Sequence, residues 1–137
     1  MDDLDRRILG ILRRDARIPY TEIAERVGTS EGTIRNRVER MHDEGIIERF
    51  TVATRTGNVK AMIEVSVAVD VDTARVSEAM AEWAEVDFVW QVSGEEDVVL
   101  VADAVDTDAL NDLITQAREL DEVRSTKTRL ILDERIG

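Results

Sequence analysis

Residues 28–45, GTSEGTIRNRVERMHDEG, bring several side chains that can read a DNA groove close together in the sequence. The amide of Asn36 can pair with adenine through two hydrogen bonds, and the guanidinium groups of Arg35 and Arg40 can bond guanine or phosphate. These residue types at this spacing predict a DNA contact. The alternative is an ordinary solvated helix surface in which Arg35 pairs with Glu39, four residues further on.

A helix that starts at Ser30 is expected to position these side chains. Ser30 can accept a hydrogen bond from a free N–H of the first turn, and Gly45 can end the helix in the left-handed conformation. Apolar residues at helical spacing predict its buried stripe, Ile34, Val38 and Met41. The opposite side then carries Gly32, Thr33, Arg35, Asn36, Glu39 and Arg40.

Four more polar residues are candidates for contact with the DNA backbone. Ser30 and Thr33 lie in the first turn, where hydroxyls and free N–H groups suit a phosphate, and Thr21 starts the preceding helix. Arg37 is nearer the buried stripe, so we expect it to reach a phosphate or Glu44 rather than a base. The candidate DNA-binding residues are Thr21, Ser30, Thr33, Arg35, Asn36, Arg37 and Arg40.

Two helices are predicted before this one. The first follows an N-cap at Asp2 or Asp3 and continues to about Arg14. The second begins around Thr21 and stops at Gly28. Since residues 28–30 form a short turn containing glycine, the last two helices have the pattern of a helix-turn-helix.

From residue 46 the apolar period changes from about 3.6 residues to 2, which indicates strands. We predict a strand from residue 46, a turn at 56–58, and a long strand whose core face is Val59, Ala61, Ile63, Val65, Val67 and Val69. A helix over 73–83, strands over 88–93 and 97–103, a helix over 107–120 and a strand over 123–133 should follow. This β-α-β-β-α-β order is ferredoxin-like.

The fold class that follows is α+β. A helix-turn-helix domain is expected over residues 1–50, a linker or hairpin over 51–60, and a ferredoxin-like domain over 61–137. Two helices can cover only one face of a four-stranded sheet, yet the middle strands are apolar on both faces. An uncovered apolar face marks an interface, so we expect a two-fold homodimer formed through the sheet.

Charge is divided unevenly between the two predicted domains. Residues 1–60 carry 12 basic and 11 acidic side chains, a net charge of +1, whereas residues 61–137 carry 6 and 19, a net charge of -13. Only the first domain is therefore suited to lie against nucleic acid. An acidic surface with two lysines, Lys60 and Lys127, is typical of proteins from halophiles, and we expect a halophilic archaeal source, with an ordinary acidic bacterial protein as the alternative.

Other chemistry finds little support in the residue types. The chain has no cysteine, and His42 is its only histidine, so we expect no catalytic site, metal site or cofactor. Residues 95–97 form an acidic cluster best explained as a solvated turn. Trp83 and Trp90 are interpreted as core residues. No apolar stretch is long enough for a membrane span or resembles a signal peptide, which predicts a cytoplasmic protein with no membrane partner.

Residues 4–50, LDRRILGILRRDARIPYTEIAERVGTSEGTIRNRVERMHDEGIIERF, resemble the N-terminal winged helix-turn-helix domain of the Lrp/AsnC family of transcription regulators. The β-α-β-β-α-β unit, with G-x-x-D at residues 94–97, is similar to that family's effector-binding and oligomerisation domain. The resemblance implies that the helix over residues 30–41 enters the major groove and that dimers bind roughly palindromic operators. It also implies that dimers can assemble into tetramers or octamers.

The resemblance further implies a small effector, commonly an amino acid, near the hairpin at residues 94–97 and the last strand. Gly94 would let the backbone approach the ligand, and Asp97 would face its ammonium group. Ser125, Thr126 and Thr128 are further candidates for effector contacts. The alternative for Gly94 and Asp97 is a plain hairpin turn, in which both residue types are favoured.

Two functions are thus considered. The first is a sequence-specific DNA-binding transcription regulator modulated by a small effector. The second is a metabolite-sensing regulatory subunit whose helix-turn-helix binds protein partners rather than DNA.

Overall fold

The computed structural model describes residues 1–137 and divides them into two compact units, Met1–Thr54 and Arg55–Ile136. Helices form the first unit, and a four-stranded sheet with two helices forms the second. None of the five helices is both long and apolar enough to cross a membrane.

The first unit consists of three helices: α1 Asp3–Arg14, α2 Tyr20–Val27 and α3 Glu31–Asp43. Asp2 caps α1 and Ser30 caps α3, whereas Gly28 ends α2 with a φ of 77°. The predicted helix-turn-helix is therefore confirmed. Its core is a single apolar cluster drawn from all three helices and the segments beside them: Ile8, Leu12, Ile18, Ile23, Ala24, Ile34, Val38, Met41 and Ile47.

The strand predicted from residue 46 is wrong, because residues 46–58 form no strand. The period-2 pattern there has a different cause: Ile47 packs into the helical core, while Ile46, Phe50 and Val52 are exposed. A strand needs a hydrogen-bonded neighbour, and residues 46–58 pair with no strand of the sheet. The predicted turn at 56–58 is present, with a φ of 83° at Gly57.

The second unit has the predicted β-α-β-β-α-β order. Its elements are β1 Val59–Val67, α4 Thr73–Ala81, β2 Val86–Gln91, β3 Val98–Ala104, α5 Thr107–Arg118 and β4 Val123–Leu130. All strand pairs are antiparallel, and the order across the sheet is β2-β3-β1-β4. Helices α4 and α5 begin at side-chain caps supplied by Asp72 and Asp106.

Helices α4 and α5 pack on one face of this sheet. The core between them contains Ala61, Ile63, Val65, Val67, Val76, Met80, Val98, Leu100, Ala102, Ala104, Leu110 and Leu113. The predicted core face of β1 is thus confirmed, except that Val69 lies beyond the strand and is 94% exposed.

The other face of the sheet, here called the open face, has no helix over it. Phe88 and Trp90 stack on each other there, with ring centroids 5.8 Å apart, and both side chains are about half exposed. Their cross-strand partners on β3 are Val101 and Val99. Trp83 packs against the core as predicted, whereas the interpretation of Trp90 as a core residue is wrong because it belongs to the open face.

Candidate nucleic-acid interface and effector site

Helix α3 is held in one rotational setting by its cap and its apolar stripe. The Ser30 hydroxyl accepts a hydrogen bond from the Thr33 backbone N–H at 3.2 Å. Ile34, Val38 and Met41 are buried, as the helical spacing predicted. Consequently the side chains that share the opposite side of α3 are exposed: Arg35, Asn36, Glu39 and Arg40.

A buried carboxylate lies beside this exposed side. The side chain of Asp5, on α1, is fully buried and accepts hydrogen bonds from Arg40 Nη2 at 2.6 Å and from Arg37 Nη1 at 3.2 Å. The backbone N–H of Asp2 donates a third bond at 3.1 Å. Burial raises the pKa of Asp5, but these three donors outweigh it and hold the pKa at about 2.

Asp2 adds a second, exposed carboxylate to the same cluster. Its Oδ1 accepts the Asp5 backbone N–H at 2.9 Å, which caps α1, and its Oδ2 accepts Arg37 Nη1 at 2.5 Å. The backbone bond from Asp5 and then the bond from Arg37 lower the pKa of Asp2. Hydrogen bonds to Asp2 and Asp5 raise the pKa of Arg37. Two arginines of α3 are therefore balanced by two aspartates at the start of α1.

These contacts change the expected surroundings of three arginines. Arg37 was expected to reach a phosphate or Glu44 and instead bonds Asp2 and Asp5. Arg40 has the exposure expected of a groove-facing residue, yet it also bonds Asp5, which is 35 residues away in the sequence. Arg35 pairs with Glu31, one turn earlier, rather than with Glu39. The helical period gave the direction of each side chain but not its partner.

Four of the seven candidate DNA-binding residues line one recess of about 410 Å³, here called the α3 recess. It is lined by Asp2, Thr33, Asn36, Arg37 and Arg40. The side chain of Asn36 is exposed and forms no hydrogen bond with the rest of the chain. Ser30 and Arg35 are exposed on α3 outside this lining, and Thr21 is exposed in the first turn of α2. Asp2 was not among the candidates, because only the fold shows that it lies beside the basic residues of α3.

The candidate effector residues do not all lie together. Gly94 adopts a φ of 130° in the β2–β3 hairpin, where a side chain would be strained. Asp97 Oδ2 accepts the Val67 backbone N–H at 2.9 Å, and this bond ties the hairpin to the end of β1. The expected role of Asp97 toward an ammonium group therefore competes with a bond that holds the fold.

The three polar residues of β4 point to different faces of the sheet. Ser125 pairs with Ser66 and belongs to the open face, whereas Thr126 and Thr128 pair with the core residues Val65 and Ile63. Thr126 Oγ1 also accepts a hydrogen bond from Arg118 Nε, on α5, at 3.0 Å. Since the two faces are separated by the sheet, these three residues cannot contact one small ligand together.

A charged recess of about 320 Å³ lies on the open face beside the hairpin. Its charged lining residues are Glu64, Glu95, Glu96, Lys127 and Arg129. Lys127 Nζ lies 3.2 Å from Glu96 Oε1, and Arg129 Nε lies 3.9 Å from Glu64 Oε2. The pKa of Glu96 is lowered, chiefly by a hydrogen bond from the Ser66 hydroxyl and next by the bond from the Lys127 ammonium. Glu96 is thus a partly buried member of an ion-pair cluster rather than part of a solvated turn.

This open-face recess was missed in the sequence although a signal for it exists. Residues 64, 127 and 129 lie on one face by simple alternation along β1 and β4, and the register pairs Glu64 with Lys127. The alternation along each strand can be read from the sequence, but the register between the two strands cannot.

Both halves of the chain match known family models. The AsnC-type helix-turn-helix domain matches residues 1–42, and the Lrp/AsnC ligand binding domain matches residues 60–136. The HTH-type transcriptional regulator LysM of Sulfurisphaera tokodaii is 32% identical over 133 residues, which cover 96% of this chain and 95% of that relative. The chain belongs to the Lrp/AsnC family of transcription regulators.

Solved structures agree with this assignment. E. coli AsnC superposes with a TM-score of 0.75 at 29% identity, covering 100% of this chain and 95% of that one. A transcriptional regulator from Neisseria meningitidis, solved as a complex with L-Met, has the same fold, with a TM-score of 0.81, 24% identity and coverage of 100% and 93%. This Lrp/AsnC protein is therefore a DNA-binding transcription regulator with a ligand-binding domain, and not an enzyme.

Proposed function

We propose that this Lrp/AsnC regulator binds a specific operator in double-stranded DNA by inserting α3 into the major groove. The observation that carries the proposal is the α3 recess, in which Thr33, Asn36, Arg37 and Arg40 meet on one side of one helix. Asn36 and Arg35 are the groups available for base edges, while Ser30 and Thr21 are suited to phosphates. We expect a protein with this role to work in the cytoplasm.

The test of the operator contact uses fragments of the source genome selected for binding to the full-length protein. Asn36→Ala and Arg35→Ala should each reduce the affinity for the selected fragment, with a loss of about 1–3 kcal/mol for a side chain that pairs with a base. Arg26→Ala is the matched control for Arg35→Ala, because Arg26 also pairs with a glutamate one turn earlier on an exposed helix surface. Equal binding by the wild type, Asn36→Ala and Arg35→Ala would refute the role of α3.

We also propose that the effector is an amino acid bound at the open-face recess. A zwitterion needs an anion and a cation close together, and the recess offers Glu64 and Glu96 beside Lys127 and Arg129. Gly94 in the adjoining hairpin leaves room for the ligand backbone, since nothing lies within 4 Å of a side chain built there. The L-Met complex of the Neisseria meningitidis relative supports this ligand class.

Thermal unfolding in the presence of each of the twenty amino acids tests this proposal. A ligand at about 100 times its Kd stabilises the folded state by about 2.7 kcal/mol. Arg129→Gln should abolish the response, whereas Arg124→Gln, an exposed arginine on the same strand, should retain it. The absence of any response in the wild type would exclude an amino-acid effector.

We further propose that two copies pack through the apolar half of the open face. Phe88, Trp90 and Val92 are exposed beside Val99 and Val101, forming a continuous apolar strip on a highly acidic protein. Burying such a strip against a second copy removes it from water and gives a two-fold dimer, which can assemble further into tetramers or octamers. In sedimentation experiments Trp90→Glu should yield folded monomers, while Val69→Glu, at an exposed residue outside the sheet, should stay dimeric.

A further inference from the structure

We propose that Asp2 is an internal competitor of DNA phosphate for Arg37 and so restrains the affinity of the protein for DNA of any sequence. This inference rests on the contact between α3 and DNA proposed above. It concerns the one pair in the α3 recess that combines an exposed carboxylate with an arginine of the proposed interface.

Arg37 lies between two carboxylates of opposite character. Its Nη1 donates to Asp2 Oδ2 at 2.5 Å and to Asp5 Oδ1 at 3.2 Å. The Asp5 side chain is fully buried, and that of Asp2 is 57% exposed. A phosphate that approaches Arg37 through the recess therefore meets one fixed partner and one accessible partner.

Asp5 cannot give up its arginines readily. Without its hydrogen-bond donors, the buried carboxylate of Asp5 would carry an unpaired charge that water cannot reach, which is strongly unfavourable. Its bonds from Arg40 and from the Asp2 backbone anchor it further. The Asp5 contacts are accordingly expected to persist when DNA binds.

Asp2 can be released at little expense, because exposed ion pairs contribute little and water replaces the lost partner. Its Oδ1 remains in use as the cap of α1, so only Oδ2 needs to leave Arg37. A phosphate oxygen is the same kind of acceptor for a guanidinium as a carboxylate oxygen, and it binds in the same geometry. Asp2 thus occupies in the free protein the contact that a phosphate would make in the complex.

The test compares Asp2→Asn with Asp3→Asn in the full-length protein. Asn at an N-cap stabilises a helix about as well as Asp, so Asp2→Asn keeps the cap and removes only the charge. Asp3 lies next to it, is 99% exposed on its side chain, and pairs with Arg6 instead of with α3. Both variants change the net charge equally, which makes Asp3→Asn the control for long-range electrostatics.

Affinity is measured by fluorescence anisotropy with a labelled duplex of mixed sequence over a range of salt concentrations. Asp2→Asn should bind about two- to fivefold more tightly than the wild type, as expected for the loss of one competing surface ion pair. Its plot of log K against log salt should be steeper by about 0.9, because one more phosphate is neutralised without releasing a carboxylate. Asp3→Asn should change the affinity by less than about twofold and leave the slope unchanged.

Three other results would overturn the inference in distinguishable ways. If Asp2→Asn and Asp3→Asn behave alike, or both match the wild type, Asp2 does not compete with phosphate, although DNA binding by α3 stands. If Asp2→Asn binds more weakly while its circular dichroism is unchanged, Asp2 positions Arg37 for DNA instead. If folded wild-type protein binds neither the mixed duplex nor the genomic fragments, the proposed function itself fails and takes this inference with it.

Discussion

Asp5 is the only buried charged side chain of the molecule, and it connects the start of α1 to two arginines of α3. Its pKa of about 2 lies below the ordinary 3.8, so the folded state favours the ionised form. The resulting stabilisation is fully present above pH 3.8 and is lost as the pH falls toward 2. Replacing Asp5 should therefore matter most at neutral pH.

We predict that Asp5→Asn destabilises the helical unit by about 2 kcal/mol at pH 7 and that this difference shrinks as the pH falls toward 2. Protonated Asp5 resembles Asn in charge, which is why the two proteins should converge. Amide hydrogen exchange of α1–α3 in the full-length protein, measured across this pH range, follows the helical unit separately from the sheet. A difference that stays constant with pH would show that Asp5 acts through packing and not through its charge.

At the residue scale the sequence predicted directions better than partners. The helical period correctly predicted that Arg35, Asn36 and Arg40 are exposed, because the side of a helix on which a residue lies depends only on its position along α3. The ion pairs from Arg37 and Arg40 to Asp5 join residues 32 and 35 apart, so they depend on how α1 packs against α3. No local pattern contains that information.

Among the elements, α3 contains a glycine that the proposed DNA contact would explain and that helix stability does not. Gly32 lies in its first turn with nothing within 4 Å of a side chain built there. We predict that Gly32→Ala stabilises the protein by about 0.5 kcal/mol, since alanine is the better helix former. The same methyl group would stand between α3 and the groove, so affinity for the selected fragment should fall by at least about fivefold.

Gly10→Ala provides the comparison for this prediction. Gly10 lies within α1, is exposed and is equally unobstructed, so alanine should stabilise the protein there without changing DNA binding. Thermal unfolding and fragment binding measured on both variants separate the two effects. Unchanged affinity in Gly32→Ala would mean that the first turn of α3 stays away from DNA.

Strands show the limit of sequence periodicity at this scale. β1 was predicted correctly because its alternation coincides with a real sheet, with β3 and β4 on its two sides. The same alternation at residues 46–58 predicted a strand that the chain does not form. Alternation shows which faces a strand would have, but pairing requires a partner that the pattern cannot identify.

For the whole molecule, charge is the property that composition alone determined most clearly. Residues 61–137 have 19 acidic and 6 basic side chains, and mutual repulsion of so many like charges destabilises a compact state. We predict that raising potassium chloride from about 0.1 M to 1 M stabilises this unit, because the Debye length falls from about 10 Å to about 3 Å. Tryptophan fluorescence reports this unit specifically, since both tryptophans, Trp83 and Trp90, lie in it.

A variant with fewer charges distinguishes screening from a general salt effect. Asp112→Asn, Glu119→Gln and Asp121→Asn neutralise three exposed carboxylates on and beside α5. This triple variant should be more stable than the wild type in low salt and should gain less from added salt. An equal gain in both proteins would show that salt acts by strengthening apolar burial and not by screening repulsion.

The same charge distribution bears on how the protein binds DNA. Each arginine in the centre of α3 already has a carboxylate partner: Arg35 has Glu31, Arg37 has Asp2, and Arg40 has Asp5. When a phosphate replaces such a partner, the DNA releases cations but the freed carboxylate takes cations up, so the net release is small. The acidic residues of 61–137 also repel the DNA phosphates. The affinity for DNA should consequently depend on Asn36, on dimer symmetry and on DNA shape more than on bulk charge.

We therefore predict a shallow dependence of wild-type binding on salt for the selected operator fragment. Neutralising six phosphates would give a slope of log K against log salt of about -5, and we expect a value clearly closer to zero. Isothermal titration at several salt concentrations measures the slope directly. A slope of about -5 or steeper would mean that neutralisation of phosphates supplies most of the affinity, and the predicted dependence on Asn36, dimer symmetry and DNA shape would then be wrong.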